Sequence, residues 1–213
     1  MNILFDLDGT LTDPAPGFIK SIRFAFNSLE IDLPSDKQIA SYIGPPLNET
    51  IKALLGPGHE SKHPDVIKRY RERYSSMGLF ENSVYDGILE TLEALHASGS
   101  PIYVATAKLS VFATRILDHF DLTRFLSGIY GSELDGTYSN KQHLLEHLLR
   151  DERLDPGDTI MIGDRSYDIT AAIANSVKPI GVSWGYGSLE ELTNAGAEKI
   201  INEPHELLYA LGI

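Results

Sequence analysis

The sequence contains no cysteine, a single tryptophan and few basic side chains. Without cysteine the chain can form no disulfide, no thiolate zinc site and no cysteine nucleophile. Lysine and arginine number 18 against 30 aspartate and glutamate residues, which gives a formal net charge of -12 at pH 7. This charge argues against binding to nucleic acid polymers or to anionic membranes. The start of the sequence has neither a basic leader nor a long apolar run, so we expect a cytoplasmic protein.

What the chain does contain is typical of a globular protein, with 42% hydrophobic and 23% charged residues over 213 positions. From about residue 84 onward, short apolar runs alternate with helical patterns, which predicts a parallel sheet covered by helices on both faces. Before that point, apolar residues recur at helical spacing and no strand pattern interrupts them. We therefore predict a doubly wound α/β core formed by residues 1–14 and 81–213, with a small all-helical insertion of residues 15–80.

The stretch with the clearest chemistry is Asp-Leu-Asp-Gly-Thr-Leu-Thr-Asp, residues 6–13. A short apolar run predicts a buried strand that ends directly at Asp6, with Asp8 two residues later. In open α/β sheets, ligands bind outside the carboxyl ends of the strands. Two carboxylates that close repel each other unless a cation lies between them, and Mg²⁺ prefers oxygen ligands. The pair therefore predicts a metal site, although aspartate and glycine also favour simple capping turns.

Later segments place polar side chains where other predicted strands end or helices begin. Thr106 follows the predicted strand of residues 102–105, so its hydroxyl and the adjacent amides can donate hydrogen bonds to a phosphate oxygen. Lys141 lies at the start of a predicted helix, where the helix N-terminus adds positive potential. Asp164 follows a third strand, and Asp168 lies on the first turn of the next helix, so both acids can reach one cation. Singly, such residues are more often structural or solvated.

Together, in this order, the residues resemble the four motifs of the haloacid dehalogenase superfamily of phosphohydrolases. The first motif is Asp-Leu-Asp-Gly-Thr-Leu-Thr-Asp, the second contains Thr106, the third is Lys141, and the fourth is Gly-Asp-Arg-Ser-Tyr-Asp at residues 163–168. The resemblance implies a Rossmann-like core. The position of the insertion, directly after the first motif, is similar to the helical cap of the phosphoglycolate phosphatase-like group, in which a lid closes over the core.

The resemblance also implies a mechanism. Asp6 would attack phosphorus as a nucleophile and form an aspartyl-phosphate. Asp8 would protonate the leaving alcohol and then take a proton from the water that hydrolyses this intermediate. An acid at position 8 distinguishes phosphohydrolases from the dehalogenase branch, which lacks it. The expected enzyme is therefore a phosphoric monoester hydrolase.

Further site residues are implied by the same resemblance. Mg²⁺ is the implied cofactor, and its ligands would be Asp6, Asp8 through its backbone carbonyl, Asp164 and Asp168. The transferring phosphoryl group would be bound by Thr106, Lys141, Gly9 and Ala107. Lys108 and Arg165 lie near the same mouth, where each could contact substrate or form a structural ion pair.

Two further segments resemble this group and its related bacterial nucleotidases, while one position departs from it. The similar segments are Gly44-Pro45-Pro46-Leu47 and Trp184-Gly185-Tyr186-Gly187-Ser188. Asp86 stands before Gly87 where relatives often have proline, which affects the hinge to the insertion rather than the chemistry. Phosphoglycolate is the first substrate expected from the resemblance, and nucleoside monophosphates come next. The expected partner is a small phosphorylated metabolite, bound by a monomer or homodimer.

Other functions are compatible with parts of the sequence. A phospho-accepting signalling switch also combines acids, a threonine and a lysine on a parallel sheet, but it would be phosphorylated without turnover. A phosphomutase would need Asp8 to return the phosphoryl group to a bound sugar. His143-Leu144-Leu145-Glu146-His147 matches the H-x-x-E-H pattern of inverzincin zinc proteases. The leucines of this segment, however, predict the buried face of an ordinary helix.

Overall fold

A six-stranded, all-parallel sheet forms the centre of the protein in a computed structural model that describes residues 1–213. The strands of this sheet are β1 (Asn2–Phe5), β4 (Ile102–Leu109), β5 (Gly128–Ser132), β6 (Thr159–Gly163), β7 (Lys178–Val182) and β8 (Lys199–Ile201). Their order is β5-β4-β1-β6-β7-β8. The chain runs outward from β1 to β5 on one side and returns to β6 on the other, which puts the reversal of strand order at β1.

Helices cover both faces of this sheet. They are α5 (Ile88–Ala97), α6 (Ser110–His119), α7 (Lys141–Asp151), α8 (Ser166–Ala174), α9 (Leu189–Ala195) and α10 (Glu206–Leu211). Successive residues of β1 face opposite sides: Ile3 and Phe5 belong to one apolar cluster and Leu4 to another, and all three are fully buried. Each such side chain contributes about 1.5–3 kcal/mol of burial free energy. The predicted doubly wound parallel sheet is confirmed.

The segment predicted as a helical insertion contributes no strand to the main sheet. Its helices are α1 (Ala15–Ser28), α2 (Asp36–Ala40), α3 (Leu47–Leu55) and α4 (His63–Arg73), and α4 continues into a π-helical turn at Tyr74–Gly78. We call residues 15–80 the cap and the remaining residues the core. None of the helices in the protein combines the length and the apolar character that crossing a membrane requires.

A pair of very short strands joins the cap to the core. The strand β2 (Thr12–Asp13) leads into the cap and β3 (Ser83–Val84) leads out of it. The two strands are antiparallel, with Thr12 opposite Val84 and Asp13 opposite Ser83. The sequence did not predict this pair, because two-residue strands carry no periodicity.

Aromatic side chains fill the junction between cap and core. Tyr70 and Tyr74 of the cap stack with their ring centroids 5.0 Å apart, and Phe18 of α1 contacts Tyr70 edge-on at 5.8 Å. Phe112 of the core helix α6 contacts Tyr74 at 5.9 Å. These contacts place the C-terminal end of α4 over the carboxyl ends of β1 and β4.

The strand before Thr106 is longer than the sequence predicts. It was expected to end at residue 105, but β4 continues to Leu109 after a shift in its pairing register with β5 between Ala105 and Leu109. Such irregularities are common beside active sites, because they change where a side chain points. Thr106 therefore lies on an irregular extension of the strand and not in the loop behind it.

Candidate active site

The predicted site residues meet at the carboxyl ends of β1, β4 and β6. Asp6 follows β1 and Asp164 follows β6, and these strands are direct neighbours. Lys141 reaches the same place from the first turn of α7, where the Asn140 side chain accepts hydrogen bonds from two backbone amides and fixes the helix start. Asp168 lies in the first turn of α8 and its carboxylate accepts a hydrogen bond of 3.0 Å from a backbone amide of that turn.

Three carboxylates form a buried cluster at this point. Oxygen atoms of Asp6, Asp164 and Asp168 lie within 4.8 Å of one another. The Nζ of Lys141 lies 2.8 Å from Oδ1 of Asp6 and also forms an ion pair with Asp168. Because all four side chains are buried, their charges interact with little screening by water. One lysine offsets only part of the three negative charges.

The pKa shifts reflect this imbalance. Burial, together with the charges of Asp168 and Asp6, raises the pKa of Asp164 well above its usual value. Burial also raises the pKa of Asp168 to about 6, although Lys141 opposes the shift. Burial alone would lower the pKa of Lys141, but the carboxylates of Asp168 and Asp6 raise it above its ordinary value. The lysine is therefore fully charged, and the acids favour an additional cation.

The same cluster fits a Mg²⁺ ion by the chemistry of its donors. Asp6, Asp164 and Asp168 present several carboxylate oxygens at one buried point, and Lys141 is the one lysine paired with them. Buried carboxylates need compensating positive charge. A hard cation that takes oxygen ligands supplies that charge. The three carboxylates match three of the four ligands implied by the sequence, while the implied contact of Asp8 involves its backbone.

The side chain of Asp8 points away from the acid cluster. Its Oδ2 lies 2.8 Å from the Nζ of Lys108, and that lysine also donates a hydrogen bond to the hydroxyl of Tyr74 in the cap. Burial raises the pKa of Asp8, while the charge of Lys108 lowers it, and the net shift is upward. Of the two roles left open for Lys108, the structure shows an ion pair, and this pair touches a candidate catalytic residue.

The other predicted phosphate-binding residues, Thr106, Ala107 and Gly9, all lie near Asp6. Thr106 is 2% exposed and, with Ala107, lines the cavity next to Asp6. Gly9 has a left-handed backbone with φ 88°, and its amide already donates to the carbonyl of Thr12 at 2.8 Å. A Cβ at Gly9 would lie 2.3 Å from Oδ2 of Asp164. The absence of a side chain at Gly9 therefore lets the backbone pass close to the carboxylate of Asp164.

The segment Trp184–Ser188 supports Asp164, a role that the sequence did not reveal. The backbone amide of Tyr186 donates to Oδ2 of Asp164 at 2.7 Å, and its hydroxyl donates to Asp13. The indole of Trp184 donates to the carbonyl of Thr10 at 3.0 Å. A Cβ at Gly187 would lie 1.9 Å from the carbonyl oxygen of Asp164, so only glycine fits there. The signal that the sequence offered for this role was the alternation of aromatic residues and glycines in this segment.

Arg165 connects the core mouth to the cap. Its Nε donates to Glu191 at 3.0 Å, and its Nη1 donates to the carbonyl oxygens of Ile43 and Ser41 in the cap. The ion pair of Arg165 is therefore structural, and it lies beside the Gly44 loop. Because the acceptors are backbone carbonyls of the cap, these contacts link the cap to the core beside the site.

A cavity of about 160 Å³ lies between cap and core above Asp6 and Asp8. Its core wall includes Thr106 and Lys108, and aromatic side chains of cap and core form much of the opposite wall. The cap also contributes Arg71, which is not among the predicted site residues. Its Nε is buried and has no hydrogen-bond partner.

The zinc-protease pattern does not form a metal site. His143 and His147 both lie on α7, whose leucines are buried in the core as the sequence predicts. The ring of His147 stacks on Tyr138 with centroids 4.3 Å apart. The acid cluster at the mouth is the group of side chains that can hold a metal ion.

Comparison with known proteins agrees with this geometry. The sequence pattern of the haloacid dehalogenase-like hydrolase family matches residues 3–182. A 5'-nucleotidase from Pseudomonas aeruginosa is 48% identical over 90% of this chain and 86% of its own length. The tyrosine-protein kinase PtkA from Mycobacterium tuberculosis is 36% identical over 99% of this chain and 72% of its own. A phosphoglycolate phosphatase from Salmonella typhimurium is 27% identical, over 99% and 92%.

Solved structures give the same result. A crystal structure described as a predicted phosphatase from Clostridium acetobutylicum superimposes with a TM-score of 0.93 and 40% identity, and the match covers 99% of this chain and 97% of the other. The match includes the cap as well as the core. The fold, the ordered site residues and the family match over residues 3–182 agree, and the chain belongs to the haloacid dehalogenase-like hydrolase family as a phosphoric monoester hydrolase.

Proposed function

We propose that the protein is a Mg²⁺-dependent phosphatase that hydrolyses a small phosphomonoester through an aspartyl-phosphate on Asp6. The observation that carries the proposal is the buried convergence of Asp6, Lys141, Asp164 and Asp168 at the carboxyl ends of neighbouring strands. Uncatalysed phosphomonoester hydrolysis is extremely slow, so the site must both position the reactants and neutralise charge.

In the first step, a carboxylate oxygen of Asp6 attacks phosphorus and the bond from phosphorus to the ester oxygen breaks. Asp8 gives its proton to the leaving oxygen, so an alcohol departs. In the second step, water attacks phosphorus, Asp8 accepts the proton of that water, and the bond to Asp6 breaks. Inorganic phosphate is released and both aspartates return to their starting state.

The other residues hold the phosphoryl group and its charge. Lys141 presents a fully charged ammonium next to Asp6, where it can contact a phosphoryl oxygen. Thr106 and Ala107 line the same wall and position that group. When bound, Mg²⁺ supplies positive charge to the phosphoryl oxygens, and Asp6, Asp164 and Asp168 would hold it with the backbone carbonyl of Asp8. The cap excludes water from the cavity during the first step.

For the substrate we put nucleoside monophosphates first. The relative named 5'-nucleotidase is 48% identical to this chain, whereas the relative named phosphoglycolate phosphatase is 27% identical. This reverses the order expected from the sequence resemblance alone. Phosphoglycolate remains the second candidate, because a cavity of about 160 Å³ is small beside the 300 Å³ or more of typical drug-sized ligand pockets.

The test is Mg²⁺-dependent phosphate release from nucleoside 5'-monophosphates, phosphoglycolate, sugar phosphates and pyrophosphate, with Asp6→Asn measured alongside. Release that the substitution abolishes supports the phosphatase, and the preferred substrate decides between the two candidates. No release from any compound by folded, Mg²⁺-loaded protein would overturn the proposal. Stoichiometric phosphorylation of Asp6 without release would then favour a signalling switch. Because one relative is named a tyrosine-protein kinase, the assay includes ATP with a tyrosine peptide.

A further inference from the structure

Arg71 is a charged side chain in the active-site cavity that has no partner within the chain. It belongs to α4 of the cap and lines the same cavity as Asp8. Its Nε is buried and has no hydrogen-bond partner. Its neighbours on the helix behave differently, because Arg69 and Arg73 each form a salt bridge with a glutamate, at 2.9 and 2.8 Å.

The missing partner is unusual for this protein. The chain has 30 acidic side chains for 18 lysines and arginines, and the other three cations that line the site are all paired with an acid. Leaving a buried guanidinium nitrogen without an acceptor is unfavourable. Glu133 and Asp135 line the same cavity but are exposed to solvent and form no salt bridge with Arg71. The acceptor for Arg71 is therefore expected to come from outside the chain.

The position of Arg71 indicates which half of a substrate it faces. The groups proposed to bind the phosphoryl moiety, Thr106 and Lys141, belong to the core, whereas Arg71 belongs to the cap. Next to it, Tyr70 and Tyr74 stack on each other and are almost fully buried. They form an apolar wall on which Arg71 supplies the charge. A substrate with its phosphoryl group on Asp6 therefore presents its leaving-group half to Arg71.

We propose that Arg71 determines substrate specificity by binding a planar hydrogen-bond acceptor on the leaving group. The inference rests on the proposed function. A guanidinium carries its N–H donors in one plane and pairs with two adjacent acceptors at once. A carboxylate offers such a pair, and so does the purine edge formed by N7 and a 6-oxo group. Both candidate substrate classes carry such an acceptor. Phosphoglycolate has the carboxylate, and an oxopurine nucleotide has the purine edge.

The experiment uses two matched pairs of substrates with the full chain and Mg²⁺. Phosphoglycolate is compared with ethyl phosphate, which lacks the carboxylate, and inosine 5'-monophosphate with adenosine 5'-monophosphate, which carries an amino group in place of the 6-oxo group. The wild type should prefer the acceptor-bearing member of one pair. Arg71→Met should lower kcat/KM for that member about 10- to 100-fold and leave its matched analogue within about twofold. The pair that responds identifies the source of the acceptor.

Two further variants keep the test decisive. Arg69→Met removes a charge from the same helix outside the cavity and should change neither preference. Arg71→Lys keeps the charge but loses the planar donors, and it replaces Arg71→Met if that variant fails to fold. An equal loss on both members of both pairs, or a wild type without preference in either pair, would overturn the inference while the phosphatase stands. Release from a sugar phosphate but from none of these four would also overturn the inference alone, whereas no release from any compound of the phosphatase panel would overturn the proposed function as well.

Discussion

The core side and the cap side of the active-site cavity differ in how their charges are balanced. On the core side each cation has an acidic partner: Lys141 pairs with Asp6, and Lys108 pairs with Asp8. On the cap side, Arg71 has none. Under the proposed function, the core side binds the phosphoryl group and the metal that are common to all substrates, whereas the cap side binds a group that only particular substrates carry. The two proposals together assign catalysis to the core and specificity to the cap.

Replacing the proposed nucleophile Asp6 should cause the largest loss of kcat. This variant tests whether the reaction depends on the core side of the cavity for every substrate. Asp6→Asn keeps the shape of the side chain but removes the attacking carboxylate, so kcat should fall on the order of 10⁴-fold or more for every substrate. Phosphate release, together with mass spectrometry of acid-quenched protein, checks this prediction. Substantial activity that survives, or a phosphorylated species that still forms on another residue, would contradict the assignment of Asp6.

Removing the core cation should have the next largest effect. Lys141→Met eliminates the ammonium beside Asp6 and Asp168, so kcat should fall about 10²- to 10³-fold, as for the loss of one donor to a transition-state oxyanion. It also leaves the buried carboxylates uncompensated, which should lower the melting temperature. Mg²⁺ should restore part of the lost stability, because it supplies positive charge to the same cluster. A variant as active as the wild type would show that the phosphoryl group lies elsewhere.

Stability measurements without substrate can test the core cluster separately from the cap. The pKa of Asp168 is about 6 in the folded protein against 3.8 for an unperturbed aspartate, and that of Asp164 is also raised. The folded state therefore binds more protons, and these carboxyls contribute stability that is lost as pH rises from about 4 through 6. Mg²⁺ should accordingly raise the melting temperature more at pH 7.5 than at pH 5. An equal shift at both values would argue against metal binding by these acids.

Removing the contact between cap and core that Arg165 makes should cause the smallest loss of kcat/KM. Arg165→Met removes the hydrogen bonds to Ile43 and Ser41 that link the cap to the core, at a cost of about 1 kcal/mol or roughly fivefold in kcat/KM. The loss should be similar for all substrates, unlike that of Arg71→Met. Arg124→Met, which removes two surface ion pairs within the core, is the control and should leave kinetics unchanged. A substrate-selective loss would mean that Arg165 itself contacts substrate.

The sequence predicted the core site because its parts are local. Asp6 and Asp164 each follow a short apolar run that is typical of a buried strand, and parallel strands bring their carboxyl ends together. Lys141 was predicted from its place at a helix start, which Asn140 caps in the structure. The family resemblance added the roles of these residues, and the match over residues 3–182 confirms the family.

The cap side was not predictable in the same way. Arg71 is one of several basic residues on α4, and periodicity does not show which of them faces the cavity or lacks a partner. The contact of Lys108 with Tyr74 depends on how the cap docks, and Tyr74 lies in a π-helical turn that no local pattern announces. The register shift beyond Ala105 likewise depends on pairing with β5. These features arise from tertiary packing between segments far apart in sequence.

The short pair β2 and β3 has a consequence for how this protein can be changed. Because Asp13 and Ser83 face each other across the pair, the two ends of the cap are neighbours in space. A cap of another length or shape can be grafted between these positions without moving β1 or β4, since only the entry and exit points must be preserved. The core can thus serve as a constant catalytic scaffold, and exchange of the cap is a direct route to phosphatases with new substrate selectivity.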